Sequence, residues 1–206
     1  MSVVNNLVGE RPLQSPVSLR RWVARRRIAI SSVCFTVLIV FNMLILQTRP
    51  NNPLALGEWK SALGMALLFF GLGIRSWSAG TLQKHESLTR IGPYALVRNP
   101  LYVGSFLMMF GFAILLNDVL SLLFIAGPMS FLYWYQVKGE EQHLSAHFPQ
   151  DWSNYANSTP RFIPYKFNSM WRCGWSRAQW LRNREFQAIL GSVVGVVGIA
   201  LVAWFD

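Results

Sequence analysis

RIGPYALVRNPLYVG, residues 90–104, is a polar, turn-rich stretch lodged between two long apolar runs. Gly92-Pro93 and Asn99-Pro100 are turn dipeptides, and beside them stand Tyr94, Arg98 and Tyr102. Upstream, residues 60–80 form an apolar run long enough to cross a bilayer; downstream, residues 101–116 form a slightly shorter one. The stretch therefore reads as a loop at a membrane edge, serving either as a positively charged connector or as a holder of a ligand. Asn117-Asp118 then makes a tight turn, and residues 119–137 return as a further span, so that 101–116 and 119–137 form a helical hairpin. Residues 28–47, which carry no charge, and 186–205 complete the set. The fold expected is all-α, a polytopic membrane helix bundle of about five transmembrane helices.

Composition agrees. Of 206 residues, 52% are hydrophobic and only 14% charged, against about 25% in soluble domains. The net charge of +10 comes from Lys and Arg that flank the apolar runs, which suits membrane topology and anionic headgroups better than nucleic acid. Cys34 lies in an apolar run and Cys173 in a basic segment, so a disulfide is not expected.

The chain divides into a basic segment 1–27, four spans with the loop 81–100 within 28–137, a polar and interfacial segment 138–185, and a last span within 186–206. Of the 19 Lys and Arg, six precede the first span, three lie in 81–100 and seven in 138–185. The positive-inside rule then sets the amino terminus in the cytoplasm and the carboxyl terminus on the opposite side. Gly127-Pro128 should break the fourth span, because proline removes a backbone donor. Trp171, Trp175 and Trp180, interspersed with Arg172, Arg177, Arg182 and Arg184, suit a membrane interface. Gly191 and Gly195 form a G-x-x-x-G pair that permits close helix packing, within the chain or in a homodimer.

This topology gathers Tyr94, Arg98, Asn99 and Tyr102 of the loop with Glu140 and Glu141 at the end of the fourth span. A Glu carboxylate accepts from an ammonium group, and Arg holds a carboxylate with two parallel bonds. Together they match an amino-acid zwitterion, and aromatic rings can stack on a purine or face a cation. S-adenosylmethionine carries all of these groups. Arg75, about a turn and a half from the polar end of its span, is a further candidate because an ionisable side chain in a span marks a site. A metal centre is not expected: His143 and His147 are four apart, yet no Glu stands between them as in HExxH. No G-x-S-x-G elbow is present, and Gly71-Leu-Gly73 follows no strand, so neither a serine hydrolase nor a dinucleotide fingerprint is indicated.

GPYALVRNPLYVG, then EEQHLSAHF, then DWSNYANSTPRFIP resembles the integral-membrane methyltransferases of the isoprenylcysteine carboxyl methyltransferase family, related to phospholipid methyltransferases. The family's R-H-P tripeptide, its Tyr two residues on and its E-E pair correspond to Arg98-Asn99-Pro100, Tyr102 and Glu140-Glu141, and its Y-x(4)-P-R-F-I-P element to Tyr155 and Pro160–Pro164. The resemblance covers roughly residues 75–165. It implies a cytoplasmic-face S-adenosylmethionine site made by Tyr94, Arg98, Asn99, Pro100, Tyr102, Glu140 and Glu141. It also implies a lipophilic acceptor, a prenylated cysteine carboxylate or a lipid amine, entering from the membrane lipids. Arg98 would bind the cofactor's carboxylate or an anionic acceptor, Glu141 would hold the cofactor's ammonium with Glu140 in support, and Arg75 would either support the site from behind the contacting residues or face the acceptor. Asn99 departs from the family's usual His: it can donate and accept, but carries no proton at neutral pH. Two other classes fit the same architecture. An NADPH-dependent membrane reductase is disfavoured by the Glu pair, which repels a polyanionic nucleotide. A non-catalytic lipid-binding protein gains weight from Asn99.

Overall fold

The computed structural model describes residues 37, 40–42, 44–83, 87–165, 167, 169–172 and 174–205. The basic amino-terminal segment and most of the span expected at 28–47 lie outside these residues. The last turn of that run is helical, with the Ile45 amide donating to the Phe41 carbonyl at 2.9 Å.

Among the described residues the fold is all-helical. Helix α1 is Trp59–Thr81, and a short 3-10 turn, Gly92–Ala95, lies in the loop after it. Helix α2 is Pro100–Leu115 and α3 is Val119–His147. Helix α4 is Pro149–Ser158, a second 3-10 turn is Ser169–Arg172, α5 is Arg177–Arg182 and α6 is Phe186–Phe205. Helices α1, α3 and α6 are long and apolar enough to span a membrane, and α2 is a shorter apolar helix. The protein is a membrane protein, and the helix boundaries fall within a residue of the apolar runs except at α3. That helix continues to His147, so Glu140 and Glu141 stand on its polar extension.

Gly127-Pro128 breaks the α-helical pattern as expected, and the form of the break is a π turn, Ile125–Met129. The extra residue per turn accommodates a proline that cannot donate. The Ser130 hydroxyl donates to the Ile125 carbonyl at 2.8 Å, supplying a partner within the turn. At the other end of the hairpin, Asn117 adopts a positive φ of 53° and Asp118 caps α3 by accepting from the Ser121 amide at 3.0 Å. The preceding loop is pinned there too. Asn51 donates from its amide and its side chain to the Leu115 and Ile114 carbonyls, both at 2.7 Å.

The antiparallel pair α1–α2 is the tightest seam. A Cβ on Gly71 would lie 2.6 Å from the Gly104 carbonyl oxygen, and one on Gly104 equally close to that of Gly71. Two turns away, a Cβ on Gly111 would come within 2.8 Å of the Gly64 oxygen. Each helix thus carries two glycines seven residues apart, which an α-helix returns to nearly the same face. Small residues let backbones approach where lipid offers no hydrophobic drive to associate. Leu68, Leu115 and Ile199 form the core beside this seam, joining α6 to the pair, with Phe112 and Val196 packed on it. Gly195 is part of that packing, since a Cβ there would meet the Phe112 ring at 2.9 Å, whereas Gly191 faces open space.

Overpacking a close-packed contact costs about 1–3 kcal/mol. Gly71→Val and Gly104→Val should each lower the melting temperature of the detergent-solubilised protein, while Gly73→Ala, which meets nothing within 4 Å, should leave it unchanged. Differential scanning fluorimetry in detergent checks this.

Candidate functional site

The site is built around Glu141, which is 8% exposed at the polar end of α3. Its carboxylate accepts a bidentate pair from Arg161: Nη2 donates to Oε2 at 2.7 Å, and Nε lies 3.0 and 3.1 Å from the two oxygens. The Asn99 amide donates to Oε1 at 3.2 Å, and Arg98 Nε approaches the same oxygen at 3.6 Å. Three chain segments therefore converge on one carboxylate: the end of α3, the loop entering α2, and the stretch after α4. Backbone contacts lock the arrangement, with the Arg98 amide donating to the Pro160 carbonyl at 2.8 Å.

Asn99 stands at the N-cap of α2, ahead of Pro100 at the first helical position. An N-cap asparagine normally accepts from a backbone N–H of the first turn. This one makes no such bond, and its amide is turned to Glu141 and, at 3.5 Å, to the Arg161 carbonyl. Local helix capping has yielded to assembly of the cluster. Pro100 is fully buried, and fixes the start of α2 without needing a partner for the N–H it lacks.

Glu140, on the adjacent position, is treated differently. The Tyr102 hydroxyl donates to it at 2.5 Å and the Gln136 amide at 2.8 Å, both neutral donors. The same Tyr102 ring packs edge-on against Tyr133 with centroids 5.4 Å apart. The expected proximity of the loop tyrosine to the Glu pair is thus realised across the hairpin.

Tyr94 lies buried in the 3-10 turn, and the Tyr155 hydroxyl of α4 donates to its carbonyl at 2.8 Å. Burial raises the Tyr94 phenol well above its ordinary value, with further upward pushes from Tyr155, Glu140 and Glu185 and a smaller opposite pull from Arg75. Burial likewise raises Tyr155. Arg161 is also raised, chiefly by its hydrogen bonds to Glu141.

The charges leave a pattern. Arg98 and Arg161 face the single carboxylate of Glu141, a surplus of one positive charge. Arg98 Nε is buried without a hydrogen-bond partner, and the guanidinium carbon lies 5.8 Å from the Trp152 ring. Glu140 contributes one negative charge whose donors are uncharged. Two neighbouring positions on α3, Glu140 and Glu141, are thus met by donors of different charge.

Arg75 is not part of this cluster. It pairs with Glu185 through two bonds, Nε to Oε1 at 2.9 Å and Nη2 to Oε2 at 3.0 Å, and Nη1 donates to Ser105 Oγ at 2.6 Å. Sequence reasoning named Arg161 only as part of a motif and missed Glu185. The signal for Glu185 was available: it is the one acidic residue between Asp151 and Asp206, placed against an apolar run. His143 and His147 sit on the polar end of α3, with His147 Nδ1 3.0 Å from the His143 carbonyl. No group of three potential metal ligands is gathered among the described residues.

Residues 59–151, from the start of α1 into α4, match the family model of phospholipid methyltransferases. This match, which covers somewhat under half of the chain, supports a membrane methyltransferase, in line with the resemblance carried by the loop and the Glu pair. It is 26% identical over 195 residues, 90% of this chain and 83% of the relative, to the cobalt-zinc-cadmium resistance protein CzcN of Cupriavidus metallidurans. It is 27% identical to the nickel-cobalt-cadmium resistance protein NccN of Alcaligenes xylosoxydans xylosoxydans, covering 74% of this chain and 71% of the relative. A protein-S-isoprenylcysteine O-methyltransferase of Schizosaccharomyces pombe is 28% identical over 62% of this chain and 53% of its own length. No solved structure matches significantly.

The buried phenols carry a pH signature. Tyr94 and Tyr155 are held neutral in the fold, so their contribution to stability is fully present below the ordinary tyrosine value of 10.0. Above it the unfolded chain releases protons that the folded chain keeps, and stability falls as pH rises. Thermal unfolding in detergent should show a decline above about pH 10, and the Tyr155→Phe variant should show a smaller one.

Proposed function

We propose that the protein transfers the methyl group of S-adenosylmethionine to a lipophilic acceptor at the cytoplasmic end of α2 and α3. The observation that carries this reading is Arg98, whose buried Nε has no hydrogen-bond partner and only the 3.6 Å approach to Glu141, together with Glu140, whose hydrogen-bond donors are neutral. An amino-acid zwitterion complements both at once: its carboxylate supplies the acceptor that Arg98 Nε lacks, and its ammonium the cation that Glu140 lacks. Glu141, whose oxygens already take Arg161 and Asn99, serves as the organiser that holds Arg98 in place. This reverses the roles expected from the motif, with Glu140 rather than Glu141 receiving the ammonium.

Bound S-adenosylmethionine supplies an electrophilic methyl group on a sulfonium. In the transfer the sulfur–methyl bond breaks with its electron pair going to sulfur, and the acceptor's lone pair forms the new bond. The protein contributes orientation, bringing the reacting atoms to about 3–3.5 Å in line. Among the described residues no imidazole stands in the cluster, and Asn99, at the position of the family's His, is itself bound to Glu141. An acceptor that is already ionised, such as the carboxylate of a prenylated cysteine, needs no base, whereas a protonated lipid amine must first lose its proton. The site therefore favours the carboxylate. A part in metal resistance, the property named for two relatives, would run through the methylated product.

S-adenosylmethionine at about one hundred times its dissociation constant should stabilise the detergent-solubilised protein by about 2.7 kcal/mol. NADPH should leave the melting temperature unchanged. Glu140→Gln should weaken S-adenosylmethionine binding by about tenfold or more, measured by calorimetry. A melting temperature that does not respond to S-adenosylmethionine, or rises with NADPH instead, would sink the proposal.

A further inference from the structure

Glu185 belongs to no motif and lies beyond residues 59–151, yet it is 3% exposed and doubly bonded to Arg75. It is the end of a row of contacts laid along the last two turns of α1. Trp175 Nε1 donates to the Ser76 carbonyl at 3.3 Å, and the Ser176 amide to the Gly80 carbonyl at 2.8 Å. Trp180 Nε1 donates to Ser76 Oγ at 2.8 Å. The Asn183 amide donates to the carbonyls of Ala79 and Leu82 at 2.8 and 3.0 Å, satisfying orphan acceptors at the end of α1. Arg184 takes a positive φ of 56°, and Glu185 follows it at the start of α6.

The other end of this segment rests on the site. A Cβ on Gly174, whose φ is +92°, would meet Ile91 Cδ1 at 2.3 Å, so only glycine fits against the residue that precedes the 3-10 turn. The turn Ser169–Arg172 packs directly on Gly92–Ala95, the turn that carries Tyr94. Ser105, which receives Arg75 Nη1, lies one turn along α2 from Tyr102, whose hydroxyl meets Glu140. Tyr94 also lies within electrostatic reach of Glu140, Glu185 and Arg75 together.

A buried ion pair is weak evidence for stability, since replacing both partners with apolar side chains is often neutral. Its strength is in fixing geometry. We propose that Glu185 is a positioning residue of the methyl-transfer site: by holding Arg75 against Ser105 it sets the register of residues 169–185 on α1, and that segment braces the turn bearing Tyr94. The inference rests on the methyl-transfer reading for its ligand, but the bracing can be measured without one.

The test uses the full chain in detergent or nanodiscs. Glu185→Gln should weaken S-adenosylmethionine binding by about tenfold. It should also speed amide exchange across residues 90–99, with residues 104–111 of the glycine seam unchanged. Glu185→Asp should recover part of the affinity. The double variant Arg75→Met with Glu185→Leu removes both charges, and so guards against misfolding from a lone buried ion. It should melt close to the unsubstituted protein and still bind the cofactor weakly. Unchanged exchange at 90–99 in Glu185→Gln overturns the proposal, as does exchange that quickens equally everywhere, or cofactor affinity that the double variant retains in full. If the unsubstituted protein binds no S-adenosylmethionine, the methyl-transfer reading fails, and the exchange comparison alone decides whether Glu185 positions the loop.

Discussion

The carboxylate of Glu141 is the constraint on which the polar end of the molecule depends. A charge taken out of water is stable only if its oxygens are met, and here the partners come from segments that have no other reason to be adjacent. Asn99 brings the entry to α2, Arg161 brings the chain after α4, and Arg98 comes with both. Removing any one donor would leave the others around a less satisfied anion. The position of the loop relative to α3 is thus set electrostatically, on top of a membrane fold that is set by glycine packing and apolar length.

The membrane fold was legible in the sequence because its physics is one-dimensional. A run of apolar residues long enough to cross a bilayer announces itself, and α1, α2 and α6 fall within a residue of the runs read. Asn117-Asp118 and Gly127-Pro128 marked a turn and a break by local chemistry, although nothing local said that the break would be a π turn. The first apolar run lies largely outside the described residues. The members of the candidate site were legible through the order of Arg98, Asn99, Tyr102, Glu140 and Glu141. Their pairing was not. Which of Glu140 and Glu141 takes a guanidinium depends on where Arg161 returns, and α4 is tied to the loop by the Tyr155 bond to the Tyr94 carbonyl. Arg75 stood out as a charge in a span, but its partner is 110 residues away and could be found only in three dimensions.

The two polar networks lie in different parts of the chain. The Glu141 cluster lies almost wholly within or beside the family-matched residues 59–151, whereas Glu185, Trp175, Trp180 and Asn183 lie outside them. The match to the CzcN relative spans 90% of this chain and so must extend past 59–151 on both sides. The segment before α6 is fastened to α1 by hydrogen bonds to its backbone and by the side-chain contacts of Arg75 and Ser76.

The glycine seam between α1 and α2 has a consequence for traffic. Backbones that touch at Gly71–Gly104 and again at Gly64–Gly111 leave no width for even one methyl group between them. An acyl or prenyl chain cannot slip through such a joint, and separating the helices would break both contacts at once. The wall formed by α1 and α2 is a closed side of the protein. If the acceptor is lipophilic, as proposed, its hydrocarbon tail would have to reach the polar end along a flank other than this one.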